Sequence, residues 1–332
     1  MRLQLGYVPL CDAAPLIAAH ELGFARAEGL DLDLTAEPSW ATLRDRLALG
    51  HLDGAHMLAP LALASRLALS GPPSDLIVPL QLSTDGNAVT LSRTLWAAMD
   101  TDSEALADVA RAFAGVAEAR HRAGSPLTLG TVHPFSCHSY QVRLFAEAGG
   151  LDAAAFRTVV VPPQHCVEAL GRGLVDGFCA GAPWNDVAAA TGHGRIAVHG
   201  SALAPNATEK VLAVSARLDD AILPLVRAVA RAGRWCAEPE NRTELIHRLA
   251  RRAYLDLDPA LVGRVFGDPD APTEPGPRIR FGAPVEEPRA AQARWLLEQM
   301  RATQQIPAQF DIAAAIATVY RPDLYRAAIA DS

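Results

Sequence analysis

At 332 residues, half of them hydrophobic, the chain is long enough for two domains, each with its own core. The net charge of −7 and the lack of any basic run argue against direct nucleic-acid binding, which needs cations clustered against phosphate. No uninterrupted apolar run approaches the roughly 20 residues that a membrane-spanning helix needs, and the five cysteines, Cys11, Cys137, Cys166, Cys179 and Cys236, are odd in number, widely spaced and without a CxxC, the pattern of neither a disulfide framework nor a zinc site.

In chain order, "MRLQLGYVPL" enters a strand at once and has none of the charged, apolar and cleavage regions of an export signal, so a cytoplasmic location is expected. "DAAPLIAAHELGFARAEG" reads as a helix with Asp12 as its N-cap, Pro15 in its first turn and Gly23 near its end. "LDLDLTA" alternates as a strand, "SWATLRDRLALG" is a helix closed by Gly50, "GAHMLA" is a short buried strand, and "PLALASRLAL" is a helix closed by Ser70-Gly71. "LIVPLQLS" and "NAVTLS" read as two strands joined by the turn Thr84-Asp85-Gly86. A helical stretch from Thr94 to His121 then crosses to a second unit. That unit opens with a strand from Leu127, breaks at Pro134, and continues as a helix capped by Ser136, whose free backbone N–H groups favour an anion. Strands "RTVVVP", "VDGFCAG" and "RIAVHG" alternate with helices "QHCVEALGRG" and "PWNDVAAATG". "EKVLAVSARL" returns as a strand. Beyond Asp219 the pattern is mostly helical, interrupted by a Pro- and Gly-rich loop over 267–284, and these helices are expected to pack outside the first unit.

The chain builds one unit twice. Asp53-Gly54 recurs as Asp176-Gly177 and Pro60 as Pro183 at one spacing, and Gly6 recurs as Gly130 at a spacing one residue longer. A repeat of this length implies two similar α/β lobes with equivalent strand ends facing a cleft. The expected division is 1–92 with 205–332 as lobe one, and 93–204, crossover helix included, as lobe two.

Catalytic signatures are weak. Cys137 and His138 are sequence neighbours and point apart on a helix, His133 and His138 have no shared-ligand spacing, and no GxSxG, Walker A, GxGxxG or HExxH occurs. Binding features are stronger. Lysine and arginine together number 30, and Lys210 is the one lysine, so it marks a place where a compact ammonium serves and a planar fork does not. Trp40 starts a helix after Pro38-Ser39 at a strand end, Asn87 follows the turn after lobe one's last strand, and "GAPWN" over 181–185 opens a helix in lobe two; each Trp serves equally well as core.

The strings "GYVPLCDAAPLIAAHELGFARAEGLDLDL", "EPSWATLRDRLALGHLDGAHMLAPLALA", "DGNAVTLS", "GTVHPFSCHSYQVRLF", "DGFCAGAPWN" and "YRPDLYRAA" resemble the nitrate-binding family of solute-binding proteins over nearly the whole chain. That family includes periplasmic nitrate- and bicarbonate-binding components of ABC transporters and cytoplasmic nitrate sensors. The resemblance implies a two-lobed α/β clamp of the periplasmic-binding-protein type, type II, holding one oxyanion without turnover, cofactor or metal. Carried over position by position, the family's pocket Trp falls on Trp40, its amide side chain on Asn87, its His on His138 and its Lys on Lys210. Bicarbonate binders carry an acidic residue where Lys210 stands, so a cation there fits nitrate or nitrite. Two departures are Ala182, where "GEPWN" usually has Glu, and Asp85, where Asn usually stands. With no export signal, the resemblance implies a cytoplasmic nitrate/nitrite sensor. Its partner is an RNA-binding antiterminator, held by the empty sensor and released by the liganded one. Two roles stand as alternatives: the substrate-binding component of a nitrate or related oxyanion ABC transporter, and an enzyme like the pyrimidine-synthase relatives of this fold, whose Cys-rich motif is not found here.

Overall fold

The computed structural model describes residues 1–267 and 278–330, so most of the expected Pro- and Gly-rich loop lies outside the described residues. The chain divides into two compact units, one made of Met1–Asp85 with the chain from Ala207 onward, the other of Gly86–Asn206. The strands, in chain order, are β1 (Arg2–Tyr7), β2 (Asp31–Ala36), β3 (Gly54–Leu58), β4 (Leu76–Asp85), β5 (Asn87–Ser92), β6 (Leu127–Thr131), β7 (Phe156–Val160), β8 (Gly177–Gly181), β9 (Gly194–His199), β10 (Thr208–Ser215) and β11 (Ile279–Arg280). The first unit holds the sheet β11-β4-β10-β3-β1-β2 and the second the sheet β7-β6-β8-β5-β9.

The repeat is visible as topology. In the first unit β1 lies between β2 and β3, parallel to both; in the second β6 lies between β7 and β8 in the same way. Register repeats too, with Gly6 opposite Ala55 and Gly130 opposite Phe178. The Asp-Gly pairs have a structural reason. Asp53 Oδ2 accepts from the Gln4 N–H at 2.7 Å, and Asp176 Oδ2 accepts from the Thr128 N–H at 2.8 Å. Each carboxylate closes the start of a parallel strand pair where the ladder has run out of partners. Gly54 and Gly177 follow because a Cβ there would press on Val214 and on the Thr90 carbonyl, at 3.1 and 2.8 Å respectively.

The lobe boundary moves from the expected 92 to 85. β5 was expected beside β4, as the second strand of a hairpin; instead it pairs antiparallel with β8 and β9, in the second sheet. Asp85 and Gly86, with φ of 64° and 91°, turn the chain out of the first sheet. β5 is buried on both faces over most of its length, and an apolar run of this kind carries no periodic mark of the sheet it joins.

The helices fold as the apolar patterns dictate. Ser39 caps the helix Trp40–Ala48 by accepting from the Thr42 N–H at 3.1 Å, and this helix buries Trp40, Leu43 and Leu47 on one face. Ser136 caps the helix Cys137–Ala148 by accepting from the Ser139 N–H at 3.1 Å, as its position before the helix predicts. In the second unit, the helices Leu106–Arg122 and Cys137–Ala148 bury Phe113 and Phe145 with ring centroids 5.0 Å apart, and Phe156 of β7 completes the cluster. Each such side chain stabilises by about 1.5–3 kcal/mol on burial. The C-terminal helices pack on the first unit as expected. The long helix Ile222–Ala237 lies along the helix Ala14–Glu21, with Arg227 bonded to Glu28 at 2.8 Å, while Arg248 and Arg251 of a later segment both reach Glu21. No helix among the described residues is long and apolar enough to cross a membrane.

Candidate functional site

The four expected site residues fall in two pairs. Trp40 and Lys210 belong to the first unit, Asn87 and His138 to the second. All four are buried, Trp40, Lys210 and His138 completely.

In the first unit, strand register builds a cluster around the one lysine. Lys210 stands opposite Leu58 and Leu212 opposite His56 in the antiparallel pair of β10 and β3. Opposed residues share a face and residues two apart keep it, so Lys210 and His56 are diagonal neighbours. Asp12 comes from the short 3-10 turn Cys11–Ala13, just after β1. Its carboxylate bridges the other two: Oδ2 is 2.8 Å from the Lys210 ammonium and Oδ1 is 2.8 Å from His56 Nε2. Trp40 closes the group, its ring 5.4 Å from the His56 ring and 5.7 Å from the ammonium, within cation–π range. Glu209 lies farther off, 4.0 Å from the ammonium.

Asp12 is thus not the helix N-cap expected of it. The helix Ala14–Glu21 begins with Ala13, without a side-chain cap. A buried ammonium needs a counter-charge more than a helix end needs a cap, since an unpaired buried charge costs several kcal/mol and a missing cap about 1 kcal/mol.

The electrostatics follow from this geometry. Burial raises the Asp12 carboxyl, but Lys210 and His56 outweigh burial and hold it well below the usual carboxylate range. Burial, reinforced by Lys210, keeps the His56 imidazole below its ordinary value against the pull of Asp12. At neutral pH Asp12 is therefore ionised and His56 neutral. A carboxylate only accepts, so His56 Nε2 carries the proton and donates it, and Nδ1 is left as a lone pair. Two polar atoms of this cluster, Trp40 Nε1 and His56 Nδ1, are buried with no hydrogen-bond partner among the described residues. Polar atoms in such surroundings are normally satisfied, and a bound ligand is one way to satisfy them.

In the second unit the candidate residues are an amide and an imidazole. Asn87, the first residue of β5, donates from Nδ2 to Gln141 Oε1 at 3.0 Å. Gln141 sits three residues after His138 on the helix Cys137–Ala148, so the two share a helix face. The hydroxyls of the preceding loop are engaged locally: Ser136 and Ser139 both donate to the His133 carbonyl, at 2.5 and 2.8 Å, and His133 Nδ1 accepts from the Phe135 N–H at 3.1 Å. "GAPWN" is a structural corner, where Asn185 donates to the Ala180 carbonyl at 2.7 Å and accepts from the Thr90 hydroxyl at 2.8 Å.

His56, Asp12 and Gln141 were missed as site candidates. His56 carried a signal, a lone polar residue inside the small apolar strand "GAHML". Asp12 and Gln141 carried none, because each earns its place only through a partner far away in sequence. All five cysteines are buried and none forms a disulfide among the described residues; burial pushes the Cys166 thiol up to about 12, away from the range of a nucleophile. No group of three or more His, Cys, Asp or Glu among the described residues could hold a metal ion. A cavity of about 490 Å³ in the first unit, lined by Arg242, Phe266, Arg280 and Phe281 among others, shares no residue with the Lys210 cluster.

Known proteins resemble the chain along its whole length. The bicarbonate transport ATP-binding protein CmpC of Synechocystis is 32% identical over 92% of this chain and 46% of its own, so the chain spans about half the length of that relative. The nitrate/nitrite binding protein NrtA of Synechococcus elongatus is 31% identical over 98% of this chain and 77% of its own. The crystal structure of the periplasmic nitrate-binding protein NrtA from Synechocystis PCC 6803 superposes with a TM-score of 0.89 at 25% identity, covering 99% of this chain and 88% of that one. These relatives are named for binding and transport, and not as catalysts of a reaction on their solute. The fold is that of the periplasmic-binding-protein-like neighbours, as the sequence led one to expect. The model of the NMT1-like family matches residues 1–250, and the chain belongs to that family, in its nitrate-binding group of solute-binding proteins.

Proposed function

We propose that this protein binds nitrate or nitrite without turnover, as the solute-binding component of an import system. The observation that carries the reading is the buried Lys210 ammonium beside the Trp40 ring, whose N–H has no partner among the described residues. An ammonium contributes charge, an indole N–H a directed donor, and the ring a flat apolar wall, which together suit a small planar anion. Asn87 and His138 are proposed as further ligand contacts. The import role draws on the relatives, whose names are those of transport and nitrate/nitrite-binding proteins.

The sensor role, with an RNA-binding antiterminator as partner, stands behind the import role, because the relatives named above bear the names of transport and nitrate/nitrite-binding proteins. Location follows the same choice: outside the inner membrane for import, in the cytoplasm for sensing. Calorimetric titration with nitrate, nitrite, bicarbonate and sulfate tests the ligand. Nitrate or nitrite is expected to bind tightest; bicarbonate binding tighter than both, or no heat from either, refutes the reading. Pull-down from the native host with the tagged protein tests the role, with a transporter permease expected and an RNA-binding protein, released by nitrate, as the result that restores the sensor.

A further inference from the structure

We propose that His56 is a proton acceptor that couples anion binding to proton uptake from solvent, and that Asp12 is the residue that makes the coupling necessary. This deepens the oxyanion reading and rests on it.

Charge balance carries the inference. Lys210 and Asp12 are in contact at 2.8 Å and both are essentially inaccessible to solvent, so their charges already cancel. A monoanion placed against Lys210 and Trp40 adds one uncompensated negative charge to the balanced Lys210–Asp12 pair, in surroundings where an unbalanced charge is strongly disfavoured. The other charged groups do not relieve it. Glu209, also buried, is acidic. On the helix Trp40–Ala48, Arg44 bonds Asp45 and Ser70, and Arg46 bonds Glu37. On the helix Ala59–Arg66, Arg66 donates to the Ser74 carbonyl. On β1, Tyr7 donates to the Ala253 carbonyl. Of the described side chains set against this pair, His56 is the one whose ordinary titration range lies near neutral pH.

Geometry makes the proton useful where it lands. With Nε2 already donating to Asp12, the incoming proton adds to Nδ1, the buried atom with no hydrogen-bond partner among the described residues. The ring becomes an imidazolium with donors on both nitrogens, one to Asp12 and one open to an anion oxygen. The Trp40 N–H, on a ring 5.4 Å away, supplies a second donor. The balance is one anion and one proton in, with no bond broken. Asp12 would also set selectivity: a ligand that brings its own acidic proton needs no uptake, and a fully ionised strong-acid anion does.

Calorimetry tests this directly. Nitrate is titrated into the full chain at pH 7.5 in several buffers of different ionisation enthalpy, and the slope of heat against that enthalpy counts protons. About one proton is expected to enter per nitrate bound, with affinity falling about tenfold per pH unit above neutrality. His56→Gln is expected to abolish the uptake. Asp12→Asn is expected to abolish it too while nitrate still binds, since Lys210 is then free to balance the anion. His121→Gln, at an exposed histidine on the helix Leu106–Arg122, is expected to leave it unchanged. Nitrate binding without proton uptake in the wild type, or uptake kept in His56→Gln, overturns the inference and leaves the proposed function standing. No heat with nitrate, nitrite or bicarbonate overturns both. The wild-type titration alone overturns the inference if no proton is taken up, even if both cluster variants fail to fold.

Discussion

The two units start from one plan and spend it differently. Each sets one strand, β1 or β6, between two parallel neighbours and brackets it with an aspartate on a backbone N–H. Past β1 and β6 they diverge. In the first unit the chain makes a tight turn and sends Asp12 inward, to Lys210 and His56. In the second it makes a longer loop, engages its own serines, and presents an amide pair, Asn87 and Gln141, beside His138. The first cluster is built on buried charges, the second on an amide pair. Duplication has preserved the scaffold, while the residues just past the strand ends have been free to diverge. The charged cluster should be the one that is sensitive to pH and intolerant of single substitutions, because buried charges are stable only in balanced sets.

The largest expected effect breaks that balance. Asp12→Ala leaves a buried ammonium with its carboxylate gone and should destabilise the protein by about 3–5 kcal/mol in urea unfolding. Asp12→Asn combined with Lys210→Met restores neutrality and should recover most of that stability while weakening nitrate affinity tenfold or more. A double variant no more stable than the single one would show that packing, and not charge, holds the cluster. The amide pair should respond less. Gln141→Ala leaves the Asn87 amide short of one partner and should cost about 1–3 kcal/mol, independent of pH. Equal losses at Asp12 and Gln141 would erase the contrast between the two clusters.

Acid should separate the units. His56 and Asp12 both have lowered values in the folded state, so the unfolded chain binds the extra protons. Stability from His56 is fully present above about pH 6.5 and is lost as pH falls below it; stability from Asp12 is lost below about pH 4. The slope is at most about 1.4 kcal/mol per pH unit for each proton. Hydrogen exchange should show β3 and β10 losing protection between about pH 6.5 and 5 before β6 and β8 do, and His56→Gln should remove the difference. The smallest effect sharpens the likeness. Asp53→Ala and Asp176→Ala each delete one carboxylate to backbone bond and should cost about 1–3 kcal/mol, equal within error. Unequal losses would mean that Arg120, 3.9 Å from Asp176, adds to the second bracket.

The duplication was legible because its landmarks are local: Gly6 and Gly130, Asp53-Gly54 and Asp176-Gly177, each tied to a backbone need that recurs wherever the unit recurs. Trp40 and Lys210 stood out for related reasons, one as an aromatic at a capped helix start, the other as the chain's single lysine. His56 was visible as a polar residue in an apolar strand, yet nothing in its neighbourhood named its partner. β5 was assigned to the wrong sheet because a strand buried on both faces looks the same in either one.

By itself, the amino-acid sequence determined the two repeated α/β units, the serine-capped helices and the singling out of Lys210 as a compact ammonium, since apolar period, turn residues and composition act over a few positions. Only the tertiary structure decided what surrounds that ammonium. The register of β10 against β3 sets His56 diagonal to Lys210, and the turn after β1 brings Asp12 between them. These three residues are far apart in the chain. What selects them is electrostatic: a buried charge fixes its counter-charge by distance in space, and distance in space is settled only when the strands have paired.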